Sequence, residues 1–130
     1  MHAARRPTAL LLLACVTTWA HADGHDDAMR RLALTSGCMT CHHVEPGAAG
    51  PDGLAPIGPA WHDVARKYQD VPGAAETLTR TVMTGSSPYA SHWKGKVSGL
   101  AMPPNEVAIK EADARKLVVW ILALNKPAKK

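Results

Sequence analysis

The sequence predicts an all-α fold of about four helices, with long loops wrapped around a bound group. Four segments of the 130 residues carry apolar side chains at helical spacing, and no alternating stretch is long enough to argue a strand. Two regions, 43–57 and 85–105, are dense in Gly, Pro and Ser, which is loop composition. The chain has no Phe, 4 Trp and 2 Tyr. A core so poor in large aromatics needs another flat apolar body at its centre.

The first helix is expected over about 26–37, with Met29, Leu32 and Ala33 on one face and Gly37 as its stop. A short helix follows over 59–68, turning Trp61, Val64 and Ala65 inward, and another over 73–83 is closed by Gly85. The clearest helix spans 111–125: Ala114, Leu117, Val118, Ile121 and Leu122 fall at i, i+3, i+4, i+7 and i+8, flanked by Trp120 and Leu124. The tail, 126–130, reads as frayed and solvated.

The N-terminus sets the redox compartment. Arg5 and Arg6 precede an apolar run from Ala9 to Val16, and Ala20-His21-Ala22 supplies small residues at the positions a signal peptidase reads. The expectation is a cleaved signal over 1–22 and a single domain over 23–130. The run is too short for a membrane anchor. Leu12-Leu13-Ala14-Cys15 loosely resembles a lipoprotein box, but Leu13 is awkward there and the preceding run is short. The mature chain keeps 13 Lys and Arg against 11 Asp and Glu. So small a balance, without basic blocks interleaved with aromatics, gives no footing for nucleic acid, and no other apolar stretch approaches spanning length.

Two cysteines remain after cleavage, Cys38 and Cys41, in Cys38-Met39-Thr40-Cys41-His42. A structural zinc site needs four ligands, and no second Cys or His pair completes one. A thioredoxin-type thiol pair sits at a helix N-terminus, whereas this one follows a helix and has no βαβ context. Covalent haem fits. Cysteines three apart reach the two porphyrin vinyl groups as thioethers, and the adjacent His42 becomes the proximal iron ligand. Export agrees, because such haem is attached outside the cytoplasm.

The sixth ligand separates an electron carrier from a gas binder or an enzyme. Met39 lies within the attachment motif, and Met29 and Met83 fit helix packing. Met102 lies in a loop, 60 residues beyond His42, and Pro103 and Pro104 stiffen the chain that carries it. His92 is the rival; His62, His43 and His25 have less to recommend them. A thioether ligand favours ferrous iron and raises the potential.

The attachment motif, then Gly58-Pro59-Ala60-Trp61-His62-Asp63-Val64-Ala65-Arg66-Lys67-Tyr68, then Ala101-Met102-Pro103-Pro104-Asn105, then a final helix with Trp120-Ile121-Leu122, resemble bacterial class I cytochromes c of the small c-551/c-552 type. The resemblance spans nearly the whole mature chain. It implies that the Pro59 carbonyl accepts a hydrogen bond from His42, that Asn105 supports the methionine ligand, and that Trp93 lies by a haem propionate. The loop 43–57 and the segment 88–96 are longer than in the smallest members, and both flank the haem, where a partner is met.

The implied protein is a periplasmic one-electron carrier with one covalent haem c. It acts either freely or as the haem subunit of a periplasmic dehydrogenase, such as a sulfite dehydrogenase, and does no substrate chemistry itself. Its partners are redox proteins (dehydrogenase, oxidase or reductase), and a monomer or heterodimer subunit is expected. Lys67, Lys94, Lys96 and Lys110 are candidates for a basic rim that steers an acidic partner. The alternative is a haem protein with an open sixth position, recognised by carbon monoxide binding to the ferrous form.

Overall fold

The last helix, α4 (Glu111–Ala123), is the one on which the rest of the molecule is assembled. Ala114, Leu117, Val118, Trp120 and Ile121 are buried along it, and Glu111 and Asp113 in its first turn complement the positive end of the helix. Each fully buried aliphatic side chain of this kind stabilises the fold by about 1.5–3 kcal/mol. Helices α1 (Trp19–Thr35), α2 (Trp61–Tyr68) and α3 (Ala74–Thr84) all pack against α4. This computed structural model describes residues 19–125. Among them the single β-like pairing is an isolated bridge between Lys94 and Val97. No helix among them is long and apolar enough to cross a membrane.

Helix α2 buries Trp61, Val64 and Ala65, the three residues that its spacing predicts. Trp61 meets Trp120 edge to face, with ring centroids 5.7 Å apart at 84°. Such a pair adds about 0.5–1.5 kcal/mol beyond area burial. Trp120 also donates its indole N–H to Asp26 at 2.8 Å, which joins α4 to α1. Asn125, just past α4, clamps α2 twice: it accepts from His62 Nδ1–H at 2.6 Å and donates to the His62 carbonyl at 2.7 Å. Helix α3 lies between Gly73 and Gly85, both in positive-φ conformations, and its Glu76 pairs with Arg115 of α4 at 2.9 Å.

Helix α1 begins at Trp19 rather than near Asp26. Met29 and Ala33 mark its buried face, but the turn from Gly24 to Asp27 is exposed and carries no apolar pattern to read. Most of the expected export segment, Cys15 within it, and the tail 126–130 lie outside the described residues. Met29 belongs to the core and Met83 packs partly against it.

Candidate functional site

Where α1 ends, Gly37 takes φ +75°, a left-handed conformation that costs glycine little, and the chain relaunches as a 3-10 turn, Cys38–Thr40. The Cys41 and His42 amides both bond back to the Cys38 carbonyl, at 3.3 and 3.1 Å. This one turn brings Cys38, Cys41 and His42 to the same cleft. The two cysteines form no disulfide and are half-buried. Burial, ahead of a smaller repulsion from Cys41, pushes the Cys38 thiol above its ordinary pKa. An activated redox thiol is shifted the other way.

Residues 41–44 are stitched to 58–62 by backbone bonds: Gly58 N–H to Cys41 O at 2.7 Å, Trp61 N–H to His43 O at 2.9 Å, and His62 N–H to Val44 O at 3.2 Å. This seam sets Pro59 against His42, whose Nδ1 donates to the Pro59 carbonyl at 2.8 Å. A carbonyl can only accept, so Nδ1 carries the proton and Nε2 keeps its lone pair. Burial lowers the His42 pKa, against a smaller raising effect of the Pro59 bond, with His43 lowering it further. Both effects of the surroundings that lower it favour the neutral imidazole, the form that ligates a metal. Trp61 stacks on it at 6.0 Å and 24°.

The second wall comes from the end of α3 and the loop that follows. Met102 is half-buried and lines the same cleft as His42. Its N–H donates to Ser86 Oγ and its carbonyl accepts from the Ser86 N–H, both at 2.9 Å. Farther out, Ser98 and Gly99 bond to the Pro56 and Ile57 carbonyls, so the loop is tied to the histidine side as well.

The cleft measures about 400 Å³, within the range of about 300–1,000 Å³ typical of cofactor sites. Val64, Tyr68, Leu78, Val82, Leu117 and Ile121 supply its largely apolar wall. A flat apolar cofactor fits this space: paired thiols and a neutral imidazole on one side, a thioether on another, hydrocarbon between. Among the described residues no cluster of three or more His, Cys, Asp or Glu side chains could hold a metal ion, which leaves a zinc reading without ligands.

Of the residues singled out in the sequence, Cys38, Cys41, His42, Pro59, Trp93 and Met102 line this one cleft, and so does His92. Asn105 does not line it. Its side-chain amide donates to the Pro103 and Val82 carbonyls at 2.6 and 3.2 Å, so it braces the backbone that carries Met102. Trp93 has His92 edge-on at 4.9 Å and the Lys96 ammonium 5.9 Å from its ring centre. Partial desolvation, then Lys67 and Lys96, push the His92 imidazole below its ordinary pKa. Lys110 stands at the start of α4, with Asp113 as a charged neighbour. Sequence reasoning missed Ser86 and the contact of Gly58 with His42. The Gly-Ser pair closing α3 is visible in the sequence, but its partner sixteen residues on is not.

This fold and this cleft are those of a class I c-type cytochrome, and the chain belongs to the cytochrome c family: residues 28–125 match the family model described as Cytochrome c. It is 41% identical over 93 residues to cytochrome c-551 of Allochromatium vinosum, covering 72% of this chain and 82% of that protein. It is 37% identical over 101 residues to cytochrome c-552 of Nitrosomonas europaea, covering 78% and 82%. The crystal structure of wild-type Nitrosomonas europaea cytochrome c552 superposes with a TM-score of 0.58 at 36% identity, over 74% of this chain and 99% of that one. The protein is thus an electron-transfer protein with one covalent haem c, of the c-551/c-552 type, and not an enzyme.

Proposed function

We propose that the chain is an exported, periplasmic one-electron carrier whose haem iron is held between His42 and Met102. Processing after Ala22 leaves 23–130 as the working domain. When bound, the haem supplies the redox chemistry. The chain's residues do the rest. Cys38 and Cys41 tether the macrocycle, the Pro59 carbonyl orients His42 and raises its basicity, and the apolar wall excludes water. Met102 would be the second side chain to hold the iron. Asn105 braces its segment, and Trp93 would stand near the propionates. With His42 and Met102 both committed to the iron, no site on it would be left for substrate, and the haem would supply one-electron transfer.

The observation that carries this reading is that His42, with a free Nε2 lone pair, and Met102 line one apolar cleft from differently anchored walls. Lys67, Lys94 and Lys96 are exposed, and Lys67 and Lys96 both act on His92 at its rim; their charge suits an acidic redox partner. That partner is a periplasmic dehydrogenase, oxidase or reductase. A chain that co-purifies with a dehydrogenase, such as a sulfite dehydrogenase, is its haem subunit, and one that purifies alone is a diffusible carrier.

The test is an optical spectrum of the exported protein in both oxidation states, with and without carbon monoxide. The expected result is a ferric methionine–iron charge-transfer band and no response to carbon monoxide. A spectrum lacking the band and shifting with carbon monoxide would replace the carrier with a ligand-binding or catalytic haem protein.

A further inference from the structure

Met102 has both of its backbone groups bonded to one residue, Ser86. One of the two bonds is made by the Ser86 backbone N–H and survives any substitution but proline. The other, from the Met102 N–H to Ser86 Oγ at 2.9 Å, depends on the hydroxyl. Pro103 and Pro104, which follow, have no N–H to donate, so the next amide anchor is Asn105, whose N–H bonds Val82 O at 3.1 Å. Leu100, Ala101 and Pro103 line the same cleft as Met102, so among protein contacts the segment is held to the end of α3 by hydrogen bonds.

The approach of Ser86 to Met102 is built into the backbone. Gly85 turns the chain at φ +83°, and a Cβ there would stand 2.9 Å from the Met102 carbonyl oxygen and 3.1 Å from Pro104 Cδ. Only glycine permits both that turn and that closeness. The end of α3 is shaped to bring the next residue, with its hydroxyl, against the methionine.

We propose that Ser86 is a positioning residue for Met102, a latch whose hydroxyl keeps the thioether in the cleft. The proposal rests on the reading of Met102 as an iron ligand. The latch bond exists only while the segment is docked; when Met102 swings out, its amide meets water. Removing the hydroxyl leaves a half-buried donor unpaired in the docked state alone, and so shifts the balance toward the undocked one.

The experiment uses the ferric holoprotein as wild type, Ser86→Ala, Ser86→Thr and Ser87→Ala. Imidazole is titrated while the methionine–iron band is followed. The hydroxyl of Ser87 accepts only from the Tyr89 amide, which makes that variant the control. Ser86→Ala should bind imidazole about tenfold more tightly than wild type, the effect of one unpaired part-buried donor. Ser86→Thr, which keeps the hydroxyl, should return to wild-type behaviour, and Ser87→Ala should match it. Equal imidazole affinity in Ser86→Ala and wild type overturns the latch, as does an equal shift in Ser86→Ala and Ser87→Ala. If Ser86→Ala does not load haem, amide exchange in the wild type decides: the Met102 amide should be protected, and exchange as fast as a free amide overturns the proposal. A wild type without the methionine band is a separate result, which removes the Met102 reading and the latch with it.

Discussion

Gly58 lies against the ring of His42 so closely that a Cβ on it would come within 2.8 Å of His42 Cε1 and 2.9 Å of Nδ1. No heavy atom fits there without moving the imidazole. The same nitrogen donates to the Pro59 carbonyl, so the glycine and the proline act together on one ring.

Gly58→Ala should therefore push the imidazole off its carbonyl. Overpacking of this kind destabilises by about 1–3 kcal/mol. Loss of the Pro59 bond makes the imidazole a weaker donor, which favours ferrous iron. The expected outcome is a lower denaturant midpoint together with a higher reduction potential, read by chemical unfolding and by redox titration. An unchanged potential would mean the ring had not moved.

The joint between α1 and α4 can be tested at Asp26. Its carboxylate accepts the Trp120 indole N–H at 2.8 Å. Asp26→Ala leaves that donor without its partner and should cost about 1–3 kcal/mol, whereas Asp26→Asn keeps an acceptor and should cost less. Urea unfolding of the holoproteins distinguishes the two.

The basic rim predicts how the protein meets a charged reagent. Oxidation of the reduced protein by ferricyanide should slow with rising salt, and slow further in Lys67→Glu and Lys96→Glu. A cationic oxidant should show the reverse; stopped-flow rates check both. His92 adds a pH dependence. Desolvation, followed by Lys67 and Lys96, lowers its pKa, so the folded chain takes up this proton less readily than the unfolded chain. Its contribution is thus to lower stability as pH falls through the ordinary histidine value of 6.5. His92→Gln should flatten that part of the stability profile.

Much of this molecule is legible in its sequence. The inward residues of α2, and Ala114, Leu117, Val118 and Ile121 of α4, follow from spacing alone, whereas Leu122 is only half-buried and Trp120, read as flanking the stripe, is buried. The attachment motif and Met102 stand out because two thiols at that spacing, and a methionine before two prolines, have few other uses. The start of α1 is not legible, since the exposed turn from Gly24 to Asp27 carries no apolar pattern to extend the helix upstream. Nor are the Ser86 bond to Met102 and the Gly58 contact with His42. Those are proximities between segments, fixed by how α3 and the 41–44 seam are set, and a serine or glycine in a loop looks the same with or without such a partner.

The seam joining 41–44 to 58–62 has a consequence for how this protein can vary. It closes the loop at its base, immediately beside His42. Between the seam and the Pro56 and Ile57 carbonyls, which bond Ser98 and Gly99, added length costs closure entropy of about 0.6 kcal/mol for each doubling. Outward side chains such as Leu54, 61% exposed, can therefore be exchanged while His42 stays where it is. One stretch of the chain can thus vary in its side chains while the seam keeps the histidine's setting fixed.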